Sequence, residues 1–177
     1  MRTSGILMPI TSLPSPWGVG TIGGEARGFV DFLARAGVSI WQVLPIVPTS
    51  YGDSPYQSFS TYAGSPYLID LDDLASEGLL EHEEYAAVPE GVGYGAPYRG
   101  RFGVLRRAVD RLREERPAEL ARFCEREAAW LDDYALFMAL KDRHRGAPWH
   151  TWPDGLRLRC ASALARAREE LAEDIAF

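Results

Sequence analysis

Residues 5–47, GILMPITSLPSPWGVGTIGGEARGFVDFLARAGVSIWQVLPIV, decide the fold class of this chain. Gly5–Ile10 is a short apolar run that suits a buried strand, with Pro9 near its end. The loop at 11–20 holds Pro14, Pro16, Gly18 and Gly20, and a strand cannot continue through it. Gly23 and Gly24 precede a segment in which Ala26, Phe29, Val30 and Leu33 recur at helical spacing, and Gly37 supplies a left-handed stop. Ile40–Val47 is again short, apolar and rich in β-branched and aromatic side chains. Strand, loop, helix, glycine and strand within about 40 residues make a βαβ unit, which requires parallel strands. Both strands read apolar nearly throughout, as strands do when helices cover a sheet.

In open α/β sheets and in (β/α)₈ barrels alike, ligands bind beyond the carboxyl ends of the strands. The loop at 11–20 and the segment that follows Val47 both leave strand ends, so both belong on that face. The second of these contains Tyr51–Tyr67, YGDSPYQSFSTYAGSPY. Its 17 residues hold four tyrosines, one phenylalanine, four serines and one threonine, and Asp53 carries the only charge. Aromatic faces beside hydroxyls and one carboxylate suit a sugar, whose C–H faces pack on rings while its hydroxyls need donors and acceptors. The same composition also suits an ordered surface loop that its tyrosines pin down.

Tyr67–Leu71 is a third short apolar run, and Asp72 with Asp73 begins a brief helix ending near Gly78. Residues 81–100 lose all periodicity, with four glycines, two prolines and three tyrosines. There Tyr94 and Tyr98 form either a second aromatic patch or simple packing under a loop. Helices dominate afterwards. Phe102, Leu105, Val109 and Leu112 make one stripe, and Leu120, Phe123, Cys124, Leu131, Tyr134 and Met138 make a longer one behind Pro117. A break at Gly146–Pro148 and the pair Trp149 and Trp152 precede a last stripe of Ala161, Leu164, Leu171 and Ile175. The expected organisation is residues 1–80 as the first βα units with the loop 51–67, then 81–177 as an irregular connection and a helical subdomain.

Composition narrows the function classes. The chain has 177 residues, 46 % of them apolar, so it is globular. A net charge of −6 argues against nucleic acid, which needs a concentrated basic surface. Arg99, Arg101, Arg106, Arg107, Arg111 and Arg113 cluster, but Asp110, Glu114 and Glu115 dilute them, and the segment reads as a solvated helix surface. Cys124 and Cys160 sit in helical segments and read as reduced structural thiols, with a disulfide open only if the two helices touch. No metal-ligand spacing joins them to His82, His144 or His150. The N-terminus lacks a signal-peptide pattern and no apolar run is long enough to span a bilayer, so a soluble, cytoplasmic protein without a membrane partner is expected.

No phosphate loop, dinucleotide fingerprint, metalloprotease helix or nucleophile elbow occurs. Asp72/Asp73 and Asp132/Asp133 read as a helix start and a helix surface rather than as acid/base pairs. Two or three parallel strands do not close a barrel, which takes roughly 200 residues or more.

The series GILMPITSLPSPWGVGTIG, WQVLPIVPT and YGDSPYQSFSTYAGSPYLIDL resembles the N-terminus of the 4-α-glucanotransferases (amylomaltases, disproportionating enzymes), glycoside hydrolase family 77. EREAAWLDDYALFMALK with Trp149 and Trp152 extends the likeness across nearly the whole chain. The resemblance implies the N-terminal part of a (β/α)₈ barrel with a mainly helical inserted subdomain. It implies transfer of α-1,4-glucan segments between maltooligosaccharides, amylose or glycogen-derived glucans by a retaining double displacement, with no metal or organic cofactor. It also implies that the nucleophilic Asp, the acid/base Glu and a stabilising Asp come from later strands, beyond Phe177. On that reading the chain is truncated before its catalytic strands, holds no catalytic residue, and is inactive alone.

What the resemblance carries onto this chain is substrate binding. Tyr56 matches the residue that stacks on the sugar beside the scissile bond, and Ser54 matches a neighbouring hydroxyl contact. Asp53 matches a position that serves the loop or the sugar. Tyr51 and Tyr98 match two aromatics of a secondary glucan groove. The family often has His where this chain has Pro9, so no ligand contact is assigned there. Two other classes of function stay open beside this one: a non-catalytic glucan-binding module, and an α/β protein whose aromatic loop is structural.

Overall fold

The computed structural model describes residues 2–50, 54–86, 88 and 96–177, with backbone only for 96–99. Two parallel strands, β1 (Gly5–Leu7) and β2 (Ile40–Gln42), flank the helix α1 (Gly24–Arg35) in the order the sequence expects. Their register pairs Gly5 with Ile40, Ile6 with Trp41 and Leu7 with Gln42. The amide of Met8 donates to the Gln42 carbonyl at 3.0 Å, extending the ladder by one bond. Beyond it the strands stop sooner than their apolar runs do. Pro9 and Pro45 bring no N–H to a ladder, and Ile10–Ser12 turns into a 3₁₀ helix.

α1 ends as its sequence requires. Val38 donates to Leu33 O at 2.9 Å and Gly37 to Ala34 O at 3.1 Å, closing a Schellman motif. Gly37 takes φ +71° there, the left-handed region that costs only glycine nothing. α1 covers one side of the sheet: Phe29 meets Trp41 edge-on with centroids 5.0 Å apart, and the Trp41 indole donates to Met8 O at 2.8 Å. The expected coverage of both strands is only partly realised. Leu7 is 59 % and Ile40 52 % exposed, because the two-stranded sheet has few partners among the described residues.

Tyr67–Leu71 forms no strand. Pro66–Leu68 is a 3₁₀ turn, and Asp70 is the N-cap of α2 (Leu71–Ser76). The run is apolar because Tyr67, Leu68 and Leu71 are buried. A short helix α3 (His82–Tyr85) opens with a reciprocal capping box between Glu81 and Glu84. α4 (Ala96–Glu115) then lies in the same compact unit, residues 1–116. Its arginines are not simply solvated, as their density of charge suggested: Arg101 is 1 % exposed, and Arg111 reaches Glu84 at 3.0 Å and Leu79 O at 2.9 Å.

Residues 117–177 form a second compact unit. It contains α5 (Pro117–Arg143), α6 (Asp154–Arg157), α7 (Ala161–Glu170) and α8 (Ala172–Ala176). Leu136, Ala139, Leu140, Trp152, Ala167 and Leu171 make its core, with Phe137, Leu156, Leu164 and Ile175 against them. The stripe read along α5 from Leu120 to Met138 lies beside this core rather than in it; Phe123 is exposed. The last stripe is split at Leu171 into α7 and α8. Cys124 is half-buried and Cys160, at the N-cap of α7, is exposed; both are free thiols. Among the described residues, no helix is long and apolar enough to cross a membrane.

Candidate functional site

The Tyr/Ser segment leaves the carboxyl end of β2 and folds back on itself. Thr49 and Ser58 form an antiparallel bridge, and Ser50 donates to Gln57 O at 3.0 Å. The far end returns to the start, with Ser65 donating to Ile46 O at 2.8 Å. This is a compact loop closed at its neck, of the kind that presents side chains from a fixed frame.

The serines build that frame. Ser54 Oγ accepts from the Tyr56 amide at 3.3 Å. Ser58 Oγ donates to Ser60 O at 2.7 Å and accepts from the Ser60 amide at 3.2 Å. Ser60 Oγ accepts from both the Tyr62 and Ala63 amides at 3.1 Å. Hydroxyl-to-backbone bonds of this sort hold turns where no strand or helix does so. Ser54 and Ser60 act there as acceptors, a role that leaves the O–H donor of each unused in these bonds. Tyr56 stands clear of this frame, 74 % exposed.

Under the neck, the loop is nailed to the rest of residues 1–116. Tyr67 is buried and meets Phe102 edge-on at 6.1 Å, and Ile22 donates to Leu68 O at 2.8 Å. The Thr21 hydroxyl donates to Asp70 Oδ2, while Asp70 Oδ1 accepts from the amides of Asp72 at 3.0 Å and Asp73 at 3.2 Å. Arg101 donates to Ile69 O, but its Nε and Nη1 are buried without a hydrogen-bond partner. Burial pushes the Arg101 guanidinium down to about 10, against the opposing pull of the Asp70 charge. A shallow apolar cleft of about 90 Å³ runs between the strand ends and the loop base, lined by Pro9, Thr11, Leu44, Thr49, Pro55 and Tyr67 among others.

Of the residues expected at a glucan site, Ser54 and Tyr56 are brought together on this loop. Tyr51 and Asp53 lie outside the described residues, as do Tyr94 and the side chain of Tyr98. Sequence reasoning passed over Ser60, Tyr62, Asp70 and Arg101. A Ser-x-Tyr spacing that occurs three times, at 54–56, 60–62 and 65–67, was the available signal for the first two; nothing in the local sequence marked Arg101 as buried.

One titration follows from the packing beneath. Tyr85 is buried edge-on against Trp17 with centroids 6.1 Å apart, and its hydroxyl donates to Asp72 Oδ1 at 2.7 Å. Burial first, then that bond and the nearby acidic charges, push the hydroxyl up to about 12. The unfolded chain loses the same proton near pH 10. The contribution is therefore complete below pH 10 and is lost as pH rises through about 12. Urea midpoints measured from pH 9 to 12 are expected to fall less steeply in Tyr85→Phe than in the wild type; parallel slopes would refute the assignment.

The carboxylates of this site have structural employment. Asp73 takes a two-pronged contact from Arg27 at 2.9 and 2.7 Å, which draws its pKa down. Glu84 is drawn down by the Glu81 amide and by Arg111. In the separate unit of residues 117–177, Glu127 is drawn down by Arg126 and Trp130. A general acid at neutral pH needs a shift in the other direction.

Comparison with known proteins agrees with this architecture. Residues 8–177 match the glycoside hydrolase family 77 model, 4-alpha-glucanotransferase. The 4-alpha-glucanotransferase of Thermus thermophilus is 51 % identical over 99 % of this chain, and that of Clostridium butyricum 42 % over 96 %. The chain spans 36 % of the length of each of these relatives. Among solved structures, the amylomaltase from Streptococcus agalactiae in complex with acarbose superposes with a TM-score of 0.93 at 41 % identity, covering 99 % of this chain and 37 % of that one. The amylomaltase from Corynebacterium glutamicum, 21 % identical with a TM-score of 0.68 over 97 % of this chain and 29 % of its own, shares the fold. The fold is thus that of the N-terminal part of a (β/α)₈ barrel with helical insertions, and the chain belongs to the 4-alpha-glucanotransferase family.

Proposed function

We propose that this chain supplies part of the glucan-binding surface of a 4-α-glucanotransferase acting on maltooligosaccharides and longer α-1,4-glucans. The activity is transfer of a glucan segment by retaining double displacement. The observation that carries the reading is the presentation of Tyr56: an exposed ring on a loop stiffened by its own serines, beyond the carboxyl end of a parallel strand. Leaving such a ring in water forgoes about 1.5–3 kcal/mol of burial, and a backbone already ordered beneath it lowers the entropy lost when a ligand covers the ring. The ring takes the C–H face of a glucose unit, and the Ser54 hydroxyl donates to one of its oxygens. Asp53, Tyr51 and Tyr98 are assigned to the same glucan surface on the resemblance alone.

The chemistry itself requires two carboxyl groups with opposed protonation states. Among the described residues, the carboxyls whose titration is displaced are all lowered and are held by arginines, a backbone amide or the Trp130 indole. That supports binding without transfer by these 177 residues. Incubated with maltotriose, the purified chain is expected to yield neither glucose nor longer oligomers; transfer products would overturn the assignment of the catalytic carboxylates to other strands. In equilibrium titrations with maltoheptaose, Tyr56→Ala is expected to weaken binding about 10- to 100-fold, the scale of one buried aromatic side chain. Unchanged affinity would remove the stacking role.

A further inference from the structure

We propose that Tyr62 is a second glucan-stacking residue, set beside Tyr56 by a repeat of the same backbone device. The inference rests on the glucan-binding reading above. Twice in this loop a serine hydroxyl accepts from the amide of the tyrosine two residues on: Ser54 from Tyr56 at 3.3 Å, and Ser60 from Tyr62 at 3.1 Å. The outcome is the same in both places, a ring pushed into solvent from a tied-down turn. Tyr56 is 74 % exposed and Tyr62 73 %, the highest values among the exposed large hydrophobic side chains of the described residues.

The repeat is not a property of tyrosine or of the loop's composition. Tyr67 follows Ser65 at the same spacing, begins inside a 3₁₀ turn and is 8 % exposed. The chain therefore has a way of burying a tyrosine in this segment and does not apply it to Tyr62. The second turn is also tied more firmly than the first, since Ser60 Oγ holds the Ala63 amide as well, and Ala63 is buried. A large amphipathic ring in water on a backbone that is itself tied down is suited to a ligand with apolar faces and polar edges, which a glucan has. Six residues separate the two rings, at most about 20 Å of extended chain. Two platforms on one short loop meet different units of the same oligosaccharide, so Tyr62 selects for length where Tyr56 holds the first unit.

The test titrates the 177-residue chain with maltose and with maltoheptaose. Tyr62→Ala is expected to weaken maltoheptaose about 5- to 20-fold and leave maltose unchanged, Tyr62→Phe to match the wild type, and Tyr56→Ala to weaken both sugars. In the wild type the ring resonances of Tyr56 and Tyr62 are both expected to shift with maltoheptaose, a readout that no variant's folding can disturb. Loss of both sugars alike in Tyr62→Ala, or a Tyr62 resonance that stays fixed while that of Tyr56 moves, overturns the proposal and leaves the glucan-binding reading standing. Absence of binding to either sugar by the wild type overturns both.

Discussion

Asp70→Ala is expected to destabilise residues 1–116 by about 3–5 kcal/mol, the cost of leaving a buried charge without its counterpart. Three roles meet on this one carboxylate. Its Oδ1 caps α2 through the amides of Asp72 and Asp73, a contact that contributes about 1 kcal/mol on its own. Its Oδ2 accepts from Thr21, which is buried and would keep a hydroxyl without an acceptor. Its charge offsets the burial of Arg101, whose Nε and Nη1 find no hydrogen bond. Space is equally committed: a Cβ at Gly23 would fall on the Asp70 carboxylate, so glycine stands there to let the two segments close. Hydrogen exchange of the α1 and α2 amides reads the loss for this unit alone. Asp70→Asn keeps the cap through its one carbonyl oxygen but turns an amide donor toward Thr21 and removes the charge, so it separates the cap from the other two contributions. A loss below about 1 kcal/mol in Asp70→Ala would show that Arg101 is solvated by other means.

The same region shows what the sequence makes legible and what it hides. The βαβ unit could be read because its signals are local: apolar runs, a helical stripe, and Gly37 at the point where the chain must turn left-handed. Strand length could not. Six apolar residues from Gly5 suggested a strand of that length, yet the strand ends at Leu7 and its ladder with the Met8 amide, because hydrogen bonding, not hydrophobicity, defines a strand. Apolar character at Tyr67–Leu71 had a third meaning, burial of a 3₁₀ turn and a helix start. Identical tripeptides make the limit plain. Ser54-Pro55-Tyr56 and Ser65-Pro66-Tyr67 have the same letters, but one tyrosine is exposed and the other is core. Only the tertiary partners differ: Tyr67 lies against Phe102, which is 35 residues further along the chain. Arg101 was hidden for the same reason. It stands in a segment whose other arginines, Arg106, Arg107 and Arg111, read as a charged helix surface, and its burial depends on Ile69 and Asp70 across the fold.

For the helical unit, Trp152→Ala is expected to remove about 3–5 kcal/mol. A unit of about 60 residues has about 3–9 kcal/mol to lose at roughly 0.05–0.15 kcal/mol per residue, so the variant should be largely unfolded in residues 117–177. Trp152 carries this weight because it closes the core from several sides at once. Its ring stacks on His144 with centroids 5.3 Å apart and tilts against Phe137 at 5.6 Å. Its indole N–H donates to Ala147 O at 3.2 Å, fixing the turn after α5. Leu136, Ala139 and Leu140 from α5, with Ala167 and Leu171, complete the cluster, and none of them is large enough to fill the space left behind. Trp149 serves as the control, since it is 55 % exposed and outside that cluster. Its replacement by alanine should cost under about 0.5 kcal/mol. Loss of exchange protection in the second half of α5 measures the effect where the core lies. Trp152→Phe keeps the ring contacts and gives up the indole bond, so it should recover all but about 1–2 kcal/mol. If Trp152→Ala instead kept full protection, residues 136–140 would have to be held by something other than this core, and the helical unit would not be the self-contained body its packing describes.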